Sequence, residues 1–274
     1  MNGLYLMLFR SIVTTSDGYL EKRFWEIDFL RGLAIIMMIL YHSLYDLAYF
    51  GGYNLGSHPD FLAYFARAIA TIFILLVGVS LTLSLSRTEK IQKSGRKLYL
   101  KYLKRGVKIF SWGLIITLIT WISLREGFVL FGILHLIGIS IILAYPFLKL
   151  CYWNLLLGIV FISLGIYLKN LTFDFHWLVW LGLMPDRFYT VDYFPIFPWF
   201  GVILIGVFFG NMLYPDYKRR FNLFDMANLT FIRLFCFLGR HSLLIYLIHQ
   251  PILIILLYTI GVLDVDFIYS VKSM

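Results

Sequence analysis

Charge is what this chain has least of. Only 14% of its 274 residues are charged, while 61% are hydrophobic. A soluble domain carries about a quarter charged residues. The mean hydropathy is +0.82, and the apolar residues come in runs of about 20, the length that crosses a hydrocarbon layer as helix. A soluble fold is therefore excluded. Acidic residues are the scarcer sign, with 15 Asp and Glu against 24 Lys and Arg and a net charge of +9. The basic residues cluster beside the apolar runs. That placement fits anionic headgroups or an anionic cytosolic substrate, and not nucleic acid. Cysteine is nearly absent. Cys151 and Cys236 sit at expected helix ends, far apart in sequence, which excludes a disulfide framework and a cysteine metal site. No repeat of 20–50 residues, soluble domain or linker is visible. The N-terminal run GLYLMLF is too short to span, no basic residue precedes it, and it lacks a small-residue cleavage pattern, so no signal peptide is expected. Residues 1–23 read as an interfacial lead-in and 24–274 as one transmembrane domain.

The apolar runs predict an all-α polytopic bundle of seven spans, or eight, in the cell membrane. The spans fall at about 28–50, 61–85, 107–124, 128–148, 153–168, 194–213 and 240–261. The segment Arg87–Lys108 holds nine of the 24 basic residues and one acid. The positive-inside rule places it, and with it the N-terminus, in the cytoplasm. Its charges are mainly this topology signal, with a secondary role in gripping the phosphates of a cytosolic donor. The aromatic run FHWLVWLGLM, within the outer segment 169–192, is too short to span and reads as interfacial or re-entrant. Residues 221–239 are amphipathic and are expected on the inner surface. Gly206 and Gly210 have the spacing that lets helices pack closely.

One stretch breaks the rule of scarce charge. RFWEIDFLRGLAIIMMILYHSLYDLAYFGGY, from Arg23 to Tyr53, carries Asp28, Arg31, His42 and Asp46. On insertion scales each charged side chain near a bilayer centre costs about 2.5–3.5 kcal/mol. At 3.6 residues per turn the four fall within a sector of roughly 60°. They therefore face a protein-lined or watery interior. Asp46, one turn beyond His42, is placed to orient its imidazole as an acid–base partner. Arg31 alone also reads as a snorkelling anchor.

His135 and His249, in the fourth and seventh spans, fall at similar depth to His42. They suggest a shared polar cavity, or equally helix–helix hydrogen bonds. No two histidines have metal-ligand spacing, and no metal is expected. His58, in the outer loop beside Pro59 and Asp60, is either solvated or a nucleophile or base at the outer mouth of a cavity. A proton-coupled transporter could use the same stripe as a relay, but it calls for repeated halves or paired broken helices, and neither is visible. A membrane interaction subunit is the remaining non-enzymatic reading.

The motif IDFLRGLAIIMMILYHSLYD resembles the signature of integral-membrane acyltransferases, an Arg and a His with ten residues between them in a first helix. Acyltransferase family 3 proteins share that core. FILLVGVSLTLSLSR, DYFPIFPWFGVILIGVFFG and LGRHSLLIYLIHQPIL are more similar to the heparan-alpha-glucosaminide N-acetyltransferase catalytic-domain family, in particular its short prokaryotic membrane members. The resemblance runs from about Phe24 to Leu253. It implies transfer of an acyl group, acetyl above all, from cytosolic acetyl-CoA or another acyl-CoA. The acceptor would be an amino sugar or glycan hydroxyl on the outer side. Arg31, with Asp28, would sit at the donor. His42, with Asp46, would be base or acyl carrier, and His58 matches the outer-loop active histidine, so both imidazoles stand as candidates for the reaction. The partners implied are the bilayer, the acyl-CoA and the outer acceptor, with no nucleic acid; whether a second copy joins in a homo-oligomer is left open by the sequence.

Overall fold

The computed structural model describes residues 23–51, 59–91, 95–124 and 126–262. Residues 1–22, which make up nearly all of the expected lead-in, and His58 lie outside the described residues. The regular elements of the described chain are helices: α1 Trp25–Gly51, α2 Pro59–Ile91, α3 Gly95–Leu124, α4 Ile133–Leu143, α5 Trp153–Leu168, α6 Ile196–Leu213, α7 Thr230–Arg240 and α8 Ser242–Thr259. Three short 3-10 turns join them, at Tyr145–Phe147, Val179–Leu181 and Pro215–Tyr217. By length and composition α1, α2, α3, α6 and α8 can each cross a membrane, while α4 and α5 are apolar but shorter. The chain is a multi-pass membrane protein.

The core forms where α2, α4 and α6 meet. Ile74, Leu81, Leu136, Ile137, Ile141, Ile203 and Val207 pack there with almost no exposure. A helix that is apolar all round belongs in an interior, and α4 is buried over most of its length. On α3, by contrast, Leu114, Leu118, Ile119, Trp121 and Ile122 are exposed, as a lipid-facing surface requires.

Among the described residues, two helix crossings bring backbones closest together. A Cβ on Gly206 would lie 2.2 Å from the Leu75 carbonyl oxygen, and one on Gly78 would lie 2.2 Å from that of Ile203. The expected packing role of Gly206 thus has its partner in α2. Gly206→Ala is expected to overpack this crossing at a cost of about 1–3 kcal/mol, read as a lower thermal midpoint in detergent. The second crossing joins α1 and α7, where a Cβ on Gly239 would lie 1.8 Å from the Asp28 carbonyl oxygen. The amphipathic segment expected on the membrane surface is therefore clamped against the first helix. Nearby, Arg219 grips Glu26 through Nε at 2.8 Å and Nη2 at 2.7 Å, and Tyr214 donates to the same carboxylate at 3.0 Å. This pins the loop after α6 to the start of α1.

The expected span over 128–148 takes a different form. Only Ile133–Leu143 is α-helical, about 16 Å of rise, too short for a hydrocarbon layer of about 30 Å. The residues before it pair with the segment preceding α6. Val191 N–H donates to the Gly127 carbonyl at 2.9 Å and Phe194 N–H to that of Phe131 at 2.9 Å, while Thr190 Oγ1 donates to the Phe128 carbonyl at 2.6 Å. Irregular backbone at depth needs protein partners, and this pairing supplies them. Most charges of the basic segment sit on helices, because α2 runs on to Ile91 and α3 begins at Gly95.

Candidate functional site

A cavity of about 540 Å³ opens at the end of the bundle where α1 starts, between α1, α2 and α3. Arg23 comes from just before α1 and Arg31 from its second turn, Arg87 from the last turns of α2, and Lys101 and Arg105 from the first turns of α3. Asp28 is the one acid among the lining residues. It accepts from Arg31 Nη1 at 3.0 Å and lies 4.0 Å from Arg23. Arg31 also reaches Ser80 of α2 through Nη2. The Nε of Arg87 is buried with no hydrogen-bond partner among the described residues. An excess of cations with an unpartnered buried donor is an arrangement that waits for an anion, since leaving such a donor unpaired costs about 1–3 kcal/mol. Phe24 and Tyr217, with ring centroids 5.0 Å apart, form an aromatic wall of the same cavity.

Three turns further along α1, a rise of about 16 Å, the polar stripe meets α8. The rings of His42 and His249 lie 4.9 Å apart. Nδ1 of His249 is 2.6 Å from the Tyr246 carbonyl oxygen. A carbonyl only accepts, so Nδ1 carries the proton and Nε2 of the neutral ring bears a lone pair. That Nε2 is buried without a partner among the described residues. A histidine with one nitrogen tied to a carbonyl and the other bare is set up to take a proton or to attack as a nucleophile.

The expected support of His42 by Asp46 is not what the structure shows. Asp46 is fully buried, and both its oxygens accept from Nε2 of Gln250, at 3.1 and 3.0 Å. Among the described residues it forms no ion pair with His42. The reason is geometric: Gln250 follows His249 on α8, so the helix that brings an imidazole to His42 brings an amide to Asp46. Gln250 was not singled out from the sequence. Its only signal there is adjacency to His249.

His135 is held apart, between α3 and α4. The Gly132 N–H donates to its Nδ1 at 3.2 Å, which leaves the proton on Nε2, 3.4 Å from Thr117 Oγ1. Both nitrogens have protein partners, and the ring packs over Gly113. This is the helix–helix reading of that residue.

Asp192 is a feature the sequence did not mark. It lies outside the helices, accepts from the Ile133 N–H at 3.2 Å and takes a hydrogen bond from Tyr246. It therefore caps α4 and anchors the α8 turn whose carbonyl holds His249. Burial pushes its carboxyl up to about 6, against the two hydrogen bonds. Its folded value thus lies above the unfolded value of about 3.9. The stability it confers is present below that unfolded value and lost as pH rises through about 6. Asp192→Asn is expected to flatten the fall in thermal midpoint between pH 4 and 6; an unchanged slope would assign that fall to other groups.

Among the described residues no group of three or more His, Cys, Asp or Glu lies close enough to hold a metal ion. Cys151 and Cys236 are free thiols.

A helical membrane bundle with a cation-rich cavity at one end and a histidine pair deeper along the same helix is chemically compatible with group transfer from an anionic donor. The chain belongs to the heparan-alpha-glucosaminide N-acetyltransferase catalytic family, whose family model matches residues 23–251. It is accordingly an acyl-CoA-dependent, acetyltransferase-type membrane enzyme. No curated protein and no solved structure matches it.

Proposed function

We propose that the protein moves an acetyl group from cytosolic acetyl-CoA to an amino sugar or glycan hydroxyl on the opposite side of the membrane. The observation that carries this reading is the continuity of α1. Its first turns line the cationic cavity, and its later turns present His42 to His249. The phosphates of the donor would bind Arg87, Lys101 and Arg105, with Arg31 at the inner end and Asp28 holding Arg31 in place. The pantetheine arm would then cross the rise towards the histidines. The concentration of Lys and Arg around this cavity supports a cytoplasmic N-terminus by the positive-inside rule.

The chemistry needs one base and one leaving group. The acceptor's hydroxyl or amine gives its proton to an imidazole lone pair as its oxygen or nitrogen attacks the thioester carbonyl carbon. The carbon–sulfur bond breaks, and the imidazolium returns the proton to the departing thiolate. An imidazole attacking first, to give a transient acetyl-imidazole, uses the same residues. His249, with its bare Nε2, is the best-placed base, and His42 is its neighbour at the reacting centre. Asp46 and Gln250 would fix α1 against α8 one turn further on.

The test is vectorial transfer in sealed proteoliposomes. Labelled acetyl-CoA is added on one side only, with glucosamine enclosed on the other. Label on enclosed glucosamine, and free CoA thiol on the donor side, is the expected result. Thiol release without sugar labelling would reject this acceptor class. No thiol release from either face would reject the donor.

A further inference from the structure

A second basic cavity flanks the start of α1 on the side of α7, and the acetyl-transfer reading leaves it unused. It encloses about 360 Å³ and is lined by Arg23, Trp25, Asp28, Ala227, Arg233, Cys236 and Arg240. We infer that this cavity binds the headgroup phosphate of an anionic phospholipid, with the acyl chains lying along the outer face of α7.

Charge supports this first. Three arginines face one carboxylate, and that carboxylate, Asp28, is already engaged by Arg31 at 3.0 Å on the side of the larger cavity. Arg240 is held back over its own helix by an Nε bond to the Cys236 carbonyl at 3.1 Å, which fixes its guanidinium beside the cavity. The second support is an unmatched donor. The indole Nε1 of Trp25 is buried with no acceptor among the described residues, and Trp25 lines this cavity. A phosphate oxygen would serve both the guanidinium groups and the indole N–H.

Location selects a lipid as the source of that phosphate. The cavity lies at the end of a membrane-length helix, where headgroups sit, whichever way the chain is oriented. On α7, Phe231, Leu234 and Phe237 are exposed at 62%, 55% and 53%, while Ile232, Phe235 and Cys236 are buried on the side that packs against α1. Arginines beside an exposed apolar helix face are the two halves of a phospholipid site, since basic pockets between membrane helices take anionic headgroups and an apolar face takes the chains. Two of the three arginines, Arg233 and Arg240, do not line the larger cavity, so the two sites can be tested separately.

The experiment is native mass spectrometry of the full chain in mild detergent. It is titrated with phosphatidylglycerol, phosphatidylcholine, inorganic phosphate and CoA, as wild type and as Arg233→Gln/Arg240→Gln, with thermal midpoints to verify folding. The expected result is one phosphatidylglycerol bound in clear preference to phosphatidylcholine. The double variant should bind it about 30-fold more weakly, as the loss of two surface arginines implies. Should the double variant misfold, Arg233→Gln alone, at an exposed position, should weaken binding by about 5-fold. Equal binding of phosphatidylcholine, or undiminished phosphatidylglycerol binding by the folded variants, overturns the inference. Tight inorganic phosphate or CoA binding that the double variant loses would make this a site for soluble phosphates and overturn the lipid assignment.

Discussion

His249→Ala is expected to lower acetyl transfer by about 10²–10⁴-fold, the usual contribution of a positioned acid–base group. The size of the effect follows from the two nitrogens. Nδ1 is committed to the Tyr246 carbonyl, and Nε2 is buried and unpartnered among the described residues, so alanine removes the lone pair best placed to take the proton. His135→Ala is the control for a merely structural histidine. Both nitrogens of His135 have protein partners, so that variant should lower the thermal midpoint while each folded molecule keeps its turnover. Thiol release from acetyl-CoA, normalised to folded protein, reads both variants. Similar losses in the two would remove the distinction drawn between them. His42→Ala should match His249→Ala if the imidazoles act as a unit, because residues that share one step do not add in the double variant.

Lys101→Ala/Arg105→Ala is expected to raise the KM for acetyl-CoA by 10²-fold or more while leaving kcat within a few-fold. Hydrogen bonds to charged groups contribute about 1.5–3 kcal/mol each, and two are lost. Both residues line the cavity, which lies about three turns of α1 from the histidine pair, so they act on binding more than on the acetyl group. Interactions equal in the ground and transition states change KM and not kcat. Raised salt should mimic the variant in the wild type, because exposed charges are screened. A fall in kcat with unchanged KM would instead place these cations at the reacting centre.

Much of α1 was legible in the sequence because a polar stripe on an apolar helix has one physical meaning. Ionisable side chains avoid lipid, so the angle shared by Asp28, Arg31, His42 and Asp46 told which face turns inward. What that face meets was not legible. Gln250 lies 204 positions from Asp46, and the spacing of His42 and Asp46 suggested a local pair that α8 disrupts. The spans of α2, α3 and α6 followed from their apolar length. The 128–148 run did not form one helix, because hydropathy reports burial and not backbone form. Residues 127–131 are as apolar as a span but satisfy their backbone against 190–194. The basic stretch around 87–108 reads from sequence mainly as a topology signal, since composition cannot show that Arg87, Lys101 and Arg105 converge on one cavity. His58 remains a candidate from the sequence alone, because it lies outside the described residues.

The most direct test of the account is a structure of the full chain in nanodiscs with a non-hydrolysable acetyl-CoA thioether. The expected density has phosphates against Arg87, Lys101 and Arg105, the arm running past Arg31 along α1, and the acetyl carbonyl within hydrogen-bonding reach of His42 or His249. A donor bound outside this cavity, or an acetyl group directed away from the histidine pair, would contradict it.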